Sequence, residues 1–139
     1  MGFLSSVGVM PANEVVSGGK IPNLQIQTLI NNGILKNNET IELFYSEGFL
    51  SVAEGGQFLT PTKLVSYEKV NGKLEVYEMP YSAIASVEMI SKGHFFEDSV
   101  YLVNGNSYSN WESIHIILSI ENNGDSRFID KLEQNIANY

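Results

Sequence analysis

The sequence contains no cysteine and few basic residues, and these two shortages exclude several kinds of function. Without cysteine, the chain cannot form disulfides, bind zinc through thiolates or use a thiolate nucleophile. Eight lysines and arginines stand against sixteen acidic residues, which gives a formal net charge of -8 at pH 7. Such a surface repels phosphate backbones and anionic lipids on average, so no nucleic-acid partner is expected.

A long hydrophobic run is also missing. The first ten residues carry no base, and Ser and Gly interrupt their apolar positions before Pro11. Neither a cleavable signal peptide nor a membrane span is therefore expected. With 139 residues, 43% of them hydrophobic, the chain has the length of one domain, since domains commonly contain roughly 100–200 residues. We expect a single-domain cytoplasmic protein.

Residues 1–20 are rich in Gly, Ser and Ala and show no sustained periodicity. We interpret them as an N-terminal extension or docking arm and residues 21–139 as the folded domain. The apolar residues of this segment suit a docked arm or a subunit contact better than a solvated tail; they are Phe3, Leu4, Val7, Val9, Met10, Val15 and Val16.

One helix is predicted near each end of the domain. A short helix from about Pro22 to Asn32 is indicated by apolar residues on one face and by Gly33, placed where a left-handed cap is needed. A terminal helix is predicted after Asn122-Asn123-Gly124, with Asp125 or Ser126 as its cap. Its apolar stripe consists of Phe128, Ile129, Leu132 and Ile136.

Alternating apolar residues between these helices predict antiparallel strands. The first runs from Glu39 to Tyr45, with Ile41, Leu43 and Tyr45 on one side. The segment Glu54-Gly55-Gly56 indicates a tight turn, Pro61 a bend, and Asn71-Gly72 a hairpin, because a type I′ turn needs positive φ at both central residues. Further strands are predicted over residues 84–91, 99–103 and 113–121, with a turn at residues 104–106.

Three segments in this order resemble bacterial pleckstrin-homology-like domains. They are Glu39-Thr40-Ile41, the stretch Phe58–Tyr67 containing Leu-Thr and Leu-Val, and the stretch Met79–Glu88 beginning Met-Pro-Tyr. Met79 replaces the isoleucine that is usual there, and Pro61-Thr62 also departs from the family pattern. Over about residues 23–137, the resemblance implies a mainly β fold with a C-terminal α-helix, in which a bent two-sheet antiparallel barrel follows a short N-terminal helix.

The resemblance carries no phosphoinositide site with it. Eukaryotic relatives that bind these lipids place several Lys and Arg in the loop between the first two strands. The corresponding segment here, residues 46–57, contains Glu47 and Glu54 and no base. Because a polyphosphate headgroup needs positive charge, we do not expect phosphoinositide binding there.

Catalytic and metal motifs are absent from the sequence. His94, Glu97 and Asp98 can be drawn as an acid/base or metal group, but their spacing matches no ligand motif and a solvated loop is favoured. His115 falls on the polar side of its predicted strand. We therefore expect no enzyme activity, no cofactor and no metal, and the three-residue group remains the enzymatic alternative.

Phe95, Phe96 and Trp111 are the candidate partner contacts, because each flanks a predicted strand in a polar or glycine-containing loop. They can anchor a partner or fold back over a barrel end, and both interpretations stay open. The first functional hypothesis is a non-enzymatic interaction or assembly module that associates with itself or with another protein. The alternative is a peripheral lipid-binding module that inserts Phe95 and Phe96 without recognising phosphoinositides.

Overall fold

The computed structural model describes residues 14–46, 54–94, 97–106 and 113–139, and it contains two antiparallel sheets. The five-stranded sheet has the order β1 (Val16–Ser17), β2 (Leu43–Tyr45), β3 (Gly55–Leu59), β4 (Lys63–Val70), β5 (Lys73–Pro80). The three-stranded sheet has the order β6 (Ile84–Ser91), β7 (Ser99–Gly105), β8 (Ser113–Leu118). Helix α1 spans Asn23–Asn31 and helix α2 spans Gly124–Ala137. The predicted class, mainly β with a C-terminal helix, is confirmed, although no hydrogen-bonded pair of described strands closes the sheets into a barrel.

Two turn predictions are confirmed by the backbone. Asn71 and Gly72 have φ of 53° and 78°, as a type I′ hairpin requires, and Val70 pairs with Lys73 across them. At the predicted bend, the Thr60 backbone N–H donates to the Lys63 carbonyl at 2.9 Å. The Lys63 N–H donates to Thr60 Oγ1 at 3.1 Å, so Pro61 lies where no donor is needed.

An inner hydrophobic core fills the space between the two sheets and α2. The predicted stripe of α2 lies on this core, with Phe128 and Leu132 fully buried. The strands contribute further fully buried side chains: Leu59, Leu64, Met79, Val103, Ile116 and Leu118. Helix α2 begins at Gly124, so Asp125 stands inside the first turn rather than capping it. Among the described residues, no helix has both the length and the apolar composition needed to cross a membrane.

A second core lies on the opposite face of the five-stranded sheet, under α1 and the chain that follows it. Leu29 and Ile34 pack there against Phe44, Phe58 and Val65. The rings of Phe44 and Phe58 stack with centroids 6.1 Å apart. The five-stranded sheet is therefore a middle layer that is covered on both faces.

Three local predictions were wrong. The first long strand is short, because a turn that joins the Glu39 N–H to the Lys36 carbonyl at 3.1 Å precedes it. Ile41 consequently packs with Phe44 in the second core rather than beside Leu43. Gly55 and Gly56 begin β3 instead of a turn; a Cβ on Gly56 would lie 2.7 Å from the Tyr45 carbonyl oxygen. Glycine is needed at position 56 because the β2 backbone lies too close for a side chain.

The other strand ends differ by a few residues from the sequence prediction. β7 continues through Asn104 and Gly105, because these residues pair with Ser113 and Ile84 on the neighbouring strands. β8 ends at Leu118 rather than at Glu121. Within β8, Ile114, Ile116 and Leu118 face the inner core, so His115 lies on the opposite side of the strand, as predicted.

The end of the predicted N-terminal arm packs on the domain. β1 pairs antiparallel with β2, and Val15 and Val16 are 2% and 5% exposed. The Arg127 guanidinium donates to the Val15 carbonyl at 2.9 Å. Residues 1–13 lie outside the described residues, and the boundary at residue 20 stays a prediction.

Helix α1 offers a matched test of the second core. Leu29 is fully buried, whereas Leu24 in the same helix is 63% exposed. We expect Leu29→Ala to lower the free energy of unfolding by about 2–5 kcal/mol through lost burial and a cavity. Leu24→Ala should change it by less than about 0.5 kcal/mol. Urea unfolding followed by circular dichroism measures both, and equal effects of the two variants would contradict the packing of α1.

Candidate interaction surfaces

The aromatic residues predicted as partner contacts, Phe95, Phe96 and Trp111, all lie outside the described residues. In the sequence, Phe95 and Phe96 fall between β6 and β7, and Trp111 falls between β7 and β8. Their role as partner contacts therefore stays a prediction.

The residues considered as an acid/base or metal group are arranged as a loop. The Glu97 N–H donates to the His94 carbonyl at 2.9 Å, and both side chains are exposed. Asp98 Oδ2 accepts a hydrogen bond from the Tyr45 hydroxyl at 2.7 Å, which ties the loop to β2. Within the described part of the chain, no group of three or more His, Cys, Asp or Glu residues could hold a metal ion.

Lys63, the lysine that begins β4, is bound inside the domain by two carboxylates. Its Nζ lies 2.8 Å from Glu39 Oε2 and 2.6 Å from Glu78 Oε1. Burial alone lowers the pKa of Lys63, but the hydrogen bonds to Glu39 and Glu78 outweigh burial and raise this pKa above 10.5. Burial likewise raises the pKa of Glu39, but its hydrogen bond from Lys63 is the main reason that this pKa falls below 4.5. Lys63 therefore carries a positive charge, and the carboxylates of Glu39 and Glu78 compensate this charge.

The outer face of the three-stranded sheet is its face away from the inner core. Alternation along the strands places three rows of side chains there, each row crossing β6, β7 and β8. The most apolar row consists of Ser91, Val100 and Ile117, and a bulge in β6 adds Ile90 beside Ser91, opposite Val100. We call it the apolar row. The middle row is Glu88, Leu102 and His115, and the third row is polar, with Ser86, Asn104 and Ser113.

Ile90 is the most accessible apolar residue of this outer face. This residue is 54% exposed, and Val100, Leu102 and Ile117 are partly exposed. The corresponding outward face of the five-stranded sheet is covered by α1. Among the described residues, a helix therefore covers the outward face of the five-stranded sheet, and none covers the outward face of the three-stranded sheet.

The β8 edge adjoins a groove of about 540 Å³ between the two sheets. Gln57, which is 3% exposed, crosses this gap from β3: its Nε2 donates to the Ile117 carbonyl at 2.5 Å, and its Oε1 accepts from the Ile117 N–H at 3.4 Å. The carboxamide therefore pairs with the edge as a neighbouring peptide group does. The sequence analysis did not single out Gln57. The one indication in the sequence was its position as a polar residue between Gly56 and the apolar pair Phe58-Leu59.

Lys63 gives a pH-dependent prediction. Replacing it by Met leaves Glu39 and Glu78 without their cation, so we expect the free energy of unfolding at pH 7 to fall by about 2 kcal/mol. Glu39 has a lowered pKa in the folded state, so its contribution is complete above its ordinary value of 4.5 and is lost as the pH falls through the folded value. The gap between wild type and Lys63→Met should therefore narrow below pH 4.5. Lys73→Met, an exposed lysine in the same hairpin, is the control and should cost little.

Urea unfolding at a series of pH values measures this gap. A gap that stays constant between neutral pH and strong acid would contradict the assignment of the stabilisation to the Glu39 carboxylate. An equal loss in Lys73→Met would show that the effect comes from net charge rather than from the buried pair.

Comparison with known proteins identifies the fold. No protein-family model matches the sequence, and no curated protein matches it. Among solved structures, the chain is similar to a DUF1696-family protein with a pleckstrin-homology domain from Shewanella loihica PV-4, with a TM-score of 0.53 and 19% identity over 91% of this chain and 95% of that one. It is also similar to a pleckstrin-homology domain from Shewanella amazonensis SB2B, with a TM-score of 0.50 and 20% identity over 83% and 86% of the two chains. The chain therefore has the pleckstrin-homology-like fold of these bacterial proteins.

Proposed function

We propose that the protein is a non-enzymatic interaction module that associates with a second copy of itself. The observation that carries this proposal is the outer face of the three-stranded sheet, where Ile90 is 54% exposed beside Val100 and Ile117. A sheet normally buries one face against a core, and this sheet does so, but it carries an apolar row on its other face as well. Such a row is stabilised when a second surface removes it from water.

The charged groups of the domain favour a protein partner over a phosphoinositide. Lys63 is neutralised by Glu39 and Glu78, and the formal net charge is -8. A polyphosphate headgroup needs free lysines or arginines that converge on it. The loop of His94, Glu97 and Asp98 supports the same non-enzymatic proposal, because Asp98 is bonded to Tyr45 and the other two side chains are exposed.

Ile90 provides the direct test. In a symmetric dimer both copies lose the isoleucine, so we expect Ile90→Ser to weaken association by at least about tenfold, given roughly 1.5–3 kcal/mol for each buried side chain. Leu24→Ser, at an exposed position on α1, is the matched control and should leave association unchanged. Sedimentation velocity over about 1–200 µM measures the dissociation constant, since weak dimers fall in the micromolar range.

A wild-type protein that remains monomeric over this whole range would refute the proposed self-association. An equal weakening by Ile90→Ser and Leu24→Ser would refute the assignment to the outer face. Circular dichroism of both variants checks that each retains the native fold.

A further inference from the structure

The middle row of the outer face has an arrangement of side chains that suits a second copy of the same chain. Across the sheet the row reads Glu88 on β6, Leu102 on β7 and His115 on β8. An acidic group stands at one margin, an imidazole at the other, and an apolar side chain lies between them. The row is therefore complementary to itself after reversal, which is the property that a two-fold interface requires.

Glu88 is held in place on this face. Asn104 Nδ2 donates to Glu88 Oε2 at 2.9 Å and to Ser86 Oγ at 3.0 Å. Oε1 of Glu88 accepts no hydrogen bond from another described residue, so it is available for a second copy. His115 is exposed and likewise has no hydrogen-bonding side-chain partner among the described residues.

We propose that two copies pack outer face to outer face around a two-fold axis along β7, with Glu88 of each copy against His115 of the other. This geometry rests on the proposed self-association and specifies its surface and register. Rotation about an axis parallel to the strands exchanges β6 and β8 but keeps each row at its own height along the strands. Leu102 then meets Leu102 at the axis, and Glu88 meets His115 twice.

The same operator matches the apolar row. The bulge of one copy, with Ile90 and Ser91, lies over Ile117 of the other copy, and the two Val100 side chains meet at the axis. Aligned sheets pack about 10 Å apart with their strands crossing at about 30°, so the two-fold axis lies about 15° from β7 of each copy. This small rotation displaces the rows nearest the centre of the contact least. Both neighbouring rows therefore keep their partners in a packed pair of sheets.

The described face is small, and this predicts a weak dimer. Three strands about 4.8 Å apart and some 20 Å long offer about 300 Å² of flat area per copy, well below the roughly 800 Å² per partner of a stable complex. We expect dissociation constants in the micromolar range, where charge changes at the margin produce measurable shifts.

A charge exchange tests the geometry. His115→Glu places two carboxylates together at each margin, and we expect it to weaken dimerisation at least tenfold. Adding Glu88→Lys in the same chain places a lysine against the new carboxylate and should return the dissociation constant to within about threefold of wild type. His115→Lys should strengthen dimerisation, a gain that a misfolded variant cannot show. Sedimentation velocity at low and high salt measures all of these, and salt should reduce the differences.

Net charge is controlled by a matched pair of variants. Glu133 is exposed on α2, which packs on the inner side of the sheet. His115→Glu combined with Glu133→Lys has the same net charge as the rescuing double variant but leaves Glu88 in place, so it should remain weakened. Gln134→Glu adds one negative charge on the same helix and should change little.

The outcomes separate this inference from the proposed function. A wild-type monomer at every concentration overturns both. A wild-type dimer that His115→Glu does not weaken, or that Glu133→Lys rescues as well as Glu88→Lys does, overturns only the two-fold geometry. Weakening by His115→Glu with rescue by Glu88→Lys alone supports it.

Discussion

The fold depends on burying both faces of the five-stranded sheet. Two neighbouring residues of β3 illustrate this requirement. Phe58 points into the core under α1, and Leu59 points into the core shared with α2. Side chains on a strand alternate, so a strand in a middle layer must be apolar on both sides. A domain of this size would bury far less apolar surface with one core, and the covering helix α1 supplies the second.

Hydrogen bonds between buried polar groups connect the two sheets and α2 to one another. Gln57 joins the middle sheet to the edge of β8, and the Tyr81 hydroxyl donates to the Thr60 carbonyl while accepting from Asn135 of α2 at 3.1 Å. Asp125 is 1% exposed and accepts hydrogen bonds from Lys92 at 2.6 Å and from Ser99 at 2.7 Å. Burial favours the protonated acid, but these donors outweigh it and lower the pKa of Asp125. Among the described residues, no buried side-chain polar atom lacks a partner, which fits the high cost of leaving one unpaired.

Local signals predicted the parts of the structure that local chemistry determines. The Asn71-Gly72 turn, the bend at Pro61 and the apolar stripe of α2 follow from backbone preference or helical period, and all three are confirmed. Gly55 and Gly56 misled the prediction, since glycine permits both tight turns and close strand approach, and only the position of Tyr45 distinguishes them. The partners of Lys63 could not be predicted, because Glu39 and Glu78 reach it from distant parts of the chain.

The candidate surface was beyond sequence reasoning for a related reason. Isoleucine and leucine at alternate strand positions look alike whether they face a core or solvent, so Ile90 and Leu102 carried no separate signal. Only the sheet pairing shows that they share a face with Glu88 and His115. That placement matters for a chain of net charge -8, because two copies repel each other at long range. The proposed association would then depend on short-range contacts. The outer face offers these in one small area, because the apolar row lies beside the row in which Glu88 and His115 stand at opposite margins.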